Sequence, residues 1–250
     1  FAAILWGLEA KDGPEDEDAE NSTGETQTGP RDWMALSLPM VGAGLVVILV
    51  AEVPLFALAF AGDEAEIGLY GAAITLTQIF LIVITCQRQI YGPAMGKLLA
   101  EGIETTRVLH AHAQRQAVLY VVPMLAMVVL GAEQLLLLFG PGFSEARVVV
   151  WILAVGYAVP AVTALSARWL DYAGHARLVL TTEIAAAAAM VLGSVVMVPA
   201  FGMLGAASVF AAVLSTRSLY LAAMASRRLG LPLIAYGSCI ERGSKPPHER

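Results

Sequence analysis

The chain is 250 residues long, 58% hydrophobic and only 14% charged, with a formal net charge of −6. A soluble globular domain carries roughly 45–50% apolar and about 25% charged residues, so this balance excludes one. The acidity is also confined: nine acids between Glu9 and Asp32 face only Lys11 and Arg31, a local net of −7 that leaves about +1 for everything else.

The opening "FAAILWGL" is apolar and stops abruptly at "EAKD". It lacks a basic leader and a small-residue cleavage site, so it does not read as a signal peptide. Residues 1–8 are expected to be the end of a preceding transmembrane helix, which makes the chain the C-terminal part of a longer transporter. Residues 9–32, with "EDEDAENSTGETQTG" at their core, are too polar to bury a core and are expected to form a disordered acidic linker. Two cysteines, Cys86 and Cys239, define neither a disulfide framework nor a metal site.

Six apolar segments follow, in a region spanning residues 33–229. About 20 apolar residues suffice to cross a hydrocarbon core of about 30 Å. The first runs from about Met34 to Gly62 and contains Pro39, Glu52 and Pro54; the loop "DEAE" leads to the second, about Ile67 to Tyr91, closed by Gly92 and Pro93. A polar stretch, Ala94 to Gln116, has the spacing of an interfacial helix or a helix extension. The third segment covers about Ala117 to Phe139 and ends in the turn "GPGF"; the fourth covers about Val148 to Ala167, with "RWLDYAGHAR" as its return loop. The fifth, about Leu178 to Val198, turns at "PAFG" into the sixth, about Met203 to Arg228, and residues 230–250 form a polar tail. The fold class is therefore an all-α polytopic membrane protein whose main partner is the lipid bilayer.

Basic residues set the orientation. With the linker in the cytoplasm, Lys97, Arg107, Arg115, Arg168, Arg177, Arg227 and Arg228 lie on the cytoplasmic side, and only Arg147 lies opposite, with Asp63, Glu64, Glu66 and Glu145. Linker and tail are then both cytoplasmic.

Ionisable residues in apolar segments cost roughly 2.5–3.5 kcal/mol each even on the lenient insertion scale, so they mark candidate sites. Glu52, beside Pro54 in "ILVAEVPLF", is a candidate for ion or proton coupling or a structural hydrogen-bond partner. Glu183, in "LVLTTEIAAAA", is read as a structural group or a second coupling acid. Arg88, in "CQRQIYGP", either snorkels or lines a wet surface. Arg217, in "VLSTRSLYL", can hold a phosphate bidentately, or pair with Glu183 or Glu52. Glu133 and Trp151 read as interface residues, and the two rings of "HAH" at 110–112 point apart on a helix, so no metal is expected. No catalytic motif and no cofactor or nucleic-acid signature appears, so no enzyme activity is expected. Two echoing stretches, "GLYGAA" and "GMLGAA", place Gly68 with Ala72 and Gly202 with Ala206, small residues four apart that suit close helix packing.

Several stretches, taken in order, resemble a known family: "SLPM", "IGLYGAA" after an acidic loop, "YGPAMGKLLAEG", "LLLLFGPGF", "AGHAR" and "VPAFGMLGAA". Together they are similar to the C-terminal half of polysaccharide-biosynthesis (O-antigen-type) flippases of the multidrug/oligosaccharidyl-lipid/polysaccharide exporter superfamily. The resemblance implies a six-transmembrane-helix lobe of a two-lobed transporter in a bacterial inner membrane. It implies alternating access for a lipid-linked oligosaccharide, with the N-terminal lobe of the same transporter as partner. Arg217 and Arg88 would attract the pyrophosphate, while Glu52 stands where the family pattern calls for an Asp-containing polar stretch. A multidrug/cation antiporter of the same superfamily and a non-transporting membrane scaffold are the alternatives.

Overall fold

The computed structural model describes residues 52–61 and 64–231. The expectations for residues 1–8, the acidic linker, most of the first apolar segment, and the tail from residue 232 with Cys239 lie outside the described residues. Regular structure among the described residues is helical throughout: α1 (Glu52–Ala61), α2 (Glu64–Thr77), α3 (Phe80–Glu101), α4 (Ile103–Leu137), a 3-10 turn (Pro141–Ala146), α5 (Arg147–Val162), α6 (Ser166–Tyr172) and α7 (Ala176–Leu229). Four stretches are long and apolar enough to cross a membrane: Glu64–Met95, Thr105–Leu137, Pro141–Tyr172 and Arg177–Leu229. The chain is thus a membrane-embedded helical protein, as expected where no water can pair backbone groups and each span must satisfy its own.

Helices outrun the sequence-based boundaries in three places. The second segment does not stop at Pro93, because α3 carries that proline inside it and continues to Glu101. A helix in a packed bundle tolerates the lost N–H, since unwinding would leave more backbone unpaired. Of the two readings of the polar stretch 94–116, helix extension holds and a separate interfacial helix does not: it divides at Gly102 (φ 131°) into the end of α3 and the beginning of α4. At 35 residues α4 is about 52 Å long, so some 20 Å projects beyond the hydrocarbon. Finally, the first half of "RWLDYAGHAR" is the helix α6, not loop, because Trp169 and Leu170 are fully buried against Tyr91, Met95, Leu165 and Leu221. Burial of that much apolar surface overrides the polar local sequence.

The last span doubles back. A straight α7 of 54 residues would be about 81 Å long, far beyond any bilayer. Gly202 (φ 56°, ψ −136°) breaks it into two arms, α7a (176–201) and α7b (203–229). Nested contacts close the arms on each other. A Cβ on Gly193 would lie 2.8 Å from Val209 Cγ1, and one on Gly205 would collide with the Met197 carbonyl. Further from the turn, Arg217 pairs with Glu183.

The most buried span is Pro141–Tyr172, and its helix α5 packs against α2, α3, α4 and α7. A Cβ on Gly156 would stand 2.7 Å from the Ala211 Cα, so α7b lies directly on α5, and the Tyr157 and Phe210 rings meet at 5.3 Å. Gln87 of α3 donates to the Ala161 carbonyl (3.1 Å), an orphan acceptor in the last turn of α5. One end of the bundle holds the second apolar cluster around Trp169, and there Arg107 of α4 donates to the Gly230 carbonyl (3.0 Å) just past α7b. At the other end lie the hairpin tip and Arg147, which pairs with Glu133 (3.4 Å) and stacks 5.3 Å above Trp151.

Candidate functional site

At the end rich in basic residues, α3, α6 and both arms of α7 bring together charges that lie far apart in sequence. Arg88 stands within electrostatic reach of Arg168, Arg217, Glu183 and Asp171, and Asp171 within reach of Arg168 and Arg88. Three cations and two carboxylates leave the group with one net positive charge. Arg217 Nη1 donates to Glu183 Oε2 at 2.8 Å, so of its two possible acidic partners Arg217 takes Glu183. The side chains keep 21% and 27% of their surface exposed. Arg217 Nε is buried and has no hydrogen-bond partner among the described residues. A guanidinium has five donors, so this arginine retains capacity for an anion beyond Glu183.

The same arginine lines a cleft of about 520 Å³ between the arms of the hairpin. The cleft exists because α7a and α7b face each other through alanines: Ala185, Ala186 and Ala189 on one side and Ala212 on the other are too short to fill the space. Thr181, Thr182 and Thr216 add hydroxyls and Tyr220 a phenol toward the charged end. Along α7a the lining runs from Thr181 to Ala189, about 12 Å of helix, with the guanidinium toward one end and purely apolar walls toward the other. Its size lies within the range of small-molecule sites, about 300–1,000 Å³.

Glu52 belongs to a different place. It is half-buried and within electrostatic reach of Tyr70 and Tyr157, both of which are buried in the main apolar cluster. Tyr70 Oη has no hydrogen-bond partner among the described residues. A half-buried carboxylate in electrostatic reach of buried phenols is the kind of group that can take up a proton or a cation. Glu52 therefore does not join Arg88 and Arg217, and Glu183 does not join Glu52.

The four small residues of the two echoing stretches also part company. Ala72 and Ala206 are buried. Gly68 is exposed, and a Cβ there would meet nothing within 4 Å, whereas Gly202 is the turn of the hairpin. Its neighbour Met203 donates its backbone N–H to Glu66 Oε2 at 2.8 Å, so an acid in the first turn of α2, just before "IGLYGAA", caps the helix that begins in "GMLGAA". Sequence reasoning missed that contact, and it missed Arg168, Asp171 and the packing glycines Gly156 and Gly193. The signal for Arg168 is its three-residue spacing from Asp171, which places both on one face once the segment is known to be helical. His110 is buried, while His112 is exposed beside Gln116 (3.2 Å). Compared with family models, curated proteins and solved structures, the chain matches none.

Proposed function

We propose that the chain is a six-helix lobe of a transporter that flips a lipid-linked polysaccharide precursor across a bacterial inner membrane. In this reading the basic end faces the cytoplasm, and the lobe works with a second, N-terminal lobe around a shared path. The observation that carries the reading is the convergence of Arg88 and Arg217 with Arg168 in one net-positive cluster beside a membrane-depth cleft. A pyrophosphate is the kind of anion such a cluster would attract, through bidentate contacts to guanidinium groups. The hairpin form of α7 supports the reading, since its two arms and the three other spans give five crossings among the described residues, and the sequence-based sixth is the apolar segment that contains α1.

In the full-length transporter, Arg217→Ala is expected to abolish surface polysaccharide while membrane insertion stays intact. Normal polysaccharide in cells carrying this variant at wild-type levels would rule the reading out. A second reading, cation antiport, draws on Glu52 within electrostatic reach of Tyr70 and Tyr157. It requires Glu52→Gln to abolish proton- or sodium-dependent drug resistance.

A further inference from the structure

We infer that the exposed face of α2 and α3 borders water rather than lipid through the depth of the membrane, as one wall of a water-filled path. In the span Glu64–Met95, Gly68, Thr75, Gln78, Thr85 and Gln89 are all exposed. Separations of three, four and seven residues put them on one face of a helix, in a row interrupted by the apolar Ile82. The exposed faces of the other long spans are of the opposite kind: Val122, Met127 and Leu130 on α4, and Ile184, Leu192 and Val195 on α7a. Those side chains suit lipid tails. A row of glycine, hydroxyl and carboxamide groups does not, because each polar group left without a partner in hydrocarbon is costly.

The backbone gives a second sign at the same place. α2 ends at Thr77 and α3 begins at Phe80, so the span is broken at Gln78–Ile79. That point lies about 21 Å along the helix from Glu64 and about 26 Å from Met95, near the middle of the membrane. Across the break Leu81 N–H donates to the Gln78 carbonyl (2.8 Å) and Ile82 N–H to that of Ile79 (3.2 Å), three residues back instead of four. The change of register releases carbonyls in the last turn of α2 from the helical ladder. The Thr77 hydroxyl is not free to compensate, since it turns back onto the Ala73 and Ile74 carbonyls. Irregular backbone at membrane depth persists where protein buries it or where it lines a wet cavity. Gln78 is exposed, so none of the described residues covers it.

Water accounts for this face better than a packed helix does. A covering helix would have to bring a matching donor or acceptor to Thr75, Gln78, Thr85 and Gln89 in turn, whereas water supplies both. At Gly68 and Gly71 a Cβ would meet nothing within 4 Å, so the space beside them is open. No charged residue lies between Glu66 and Arg88, so the wall offers neutral hydrogen-bonding groups along most of its length. Such a wall requires no particular cargo and is common to both transport readings.

The test is cysteine accessibility in the full-length protein, in native membrane vesicles opened so that the reagent reaches both faces. Single cysteines replace Thr75, Gln78, Thr85 or Gln89 in a background carrying Cys86→Ser and Cys239→Ser. The probe is a charged, water-soluble methanethiosulfonate. Val122→Cys and Leu192→Cys are the controls, since both positions lie near mid-helix and are 57% and 68% exposed on apolar faces. Cysteines in the row are expected to react at least about tenfold faster than the controls, because the reactive thiolate forms only where water solvates it. Reaction at Thr75→Cys and Gln78→Cys as slow as at the controls overturns the inference. Slow reaction together with an efficient Gln78→Cys disulfide between copies also overturns it, and assigns the face to a second copy of the chain. Should Gln78→Cys not insert, Thr75→Cys and Thr85→Cys, on either side of the break, decide. The function reading fails separately, by normal surface polysaccharide in Arg217→Ala cells, whatever the cysteines report.

Discussion

Gly68 and Gly202 open two stretches that differ by two letters, yet the backbone asks opposite things of them. Gly202 sits at φ 56° and ψ −136°, a region costing a non-glycine residue about 1–3 kcal/mol, and its missing side chain leaves room for the Glu66 carboxylate. Gly202→Ala is therefore expected to lower stability by at least that amount in a detergent thermal or denaturant titration. Gly68 is exposed in mid-helix, where alanine is preferred by up to about 1 kcal/mol, so Gly68→Ala is expected to be neutral or slightly stabilising. Equal losses at the two positions would mean that both serve the same packing role after all. The spacing of small residues was legible in the sequence; their roles were not, because small-residue spacing says nothing of φ or of what approaches from another helix. The charged residues show the same division. That Arg88, Arg217, Glu52 and Glu183 matter could be read from their apolar flanks, but Arg217 had two candidate partners. Only the turn at Gly202, which folds residue 217 back toward residue 183, selects Glu183.

Among elements, the contact of Glu66 with Met203 joins the start of α2 to the start of α7b. A carboxylate at a helix N-terminus satisfies an otherwise orphan N–H and lies favourably in the helix dipole. Glu66→Ala is expected to cost about 1 kcal/mol, read as a roughly fivefold faster amide exchange over the first turn of α7b. Glu66→Gln, which keeps the acceptor oxygen and loses the charge, is expected to fall between the variant and wild type. Unchanged exchange in Glu66→Ala would show that the hairpin tip holds its shape without the cap. Element existence was well marked in the sequence, since apolar runs and the turns at "GPGF" and "PAFG" stand where the structure turns. Element ends were not. Pro93 and the polar letters of "RWLDY" look like terminators, but the backbone's need for internal pairing and the burial of Trp169 extend helix through both.

For the molecule as a whole, the telling property is that charge and turns sort to opposite ends. Arg107, Arg168 and Arg217 gather near the Trp169 cluster, while Glu66, Glu133 and the tip of the hairpin lie at the far end. This sorting follows from α7 doubling back at Gly202, and it yields a topology test in intact cells. With Cys86 and Cys239 replaced by serine, single cysteines are introduced at Glu145, Phe201, Tyr172 and Arg228. All four side chains are exposed, Phe201 at 63% and Tyr172 at 53%. If the basic end is cytoplasmic, a membrane-impermeant maleimide should label Glu145→Cys and Phe201→Cys in intact cells. It should reach Tyr172→Cys and Arg228→Cys only after permeabilisation. The pairing carries the argument more than the side does. Phe201 is expected to follow Glu145, because an arm of about 26 residues is about 39 Å long, enough to cross the whole bilayer. If Phe201→Cys labels together with Tyr172→Cys, or from neither side, α7 does not span the membrane twice. A six-helix lobe would then lose its last two crossings, and the cleft between the arms of α7 would no longer lie at membrane depth.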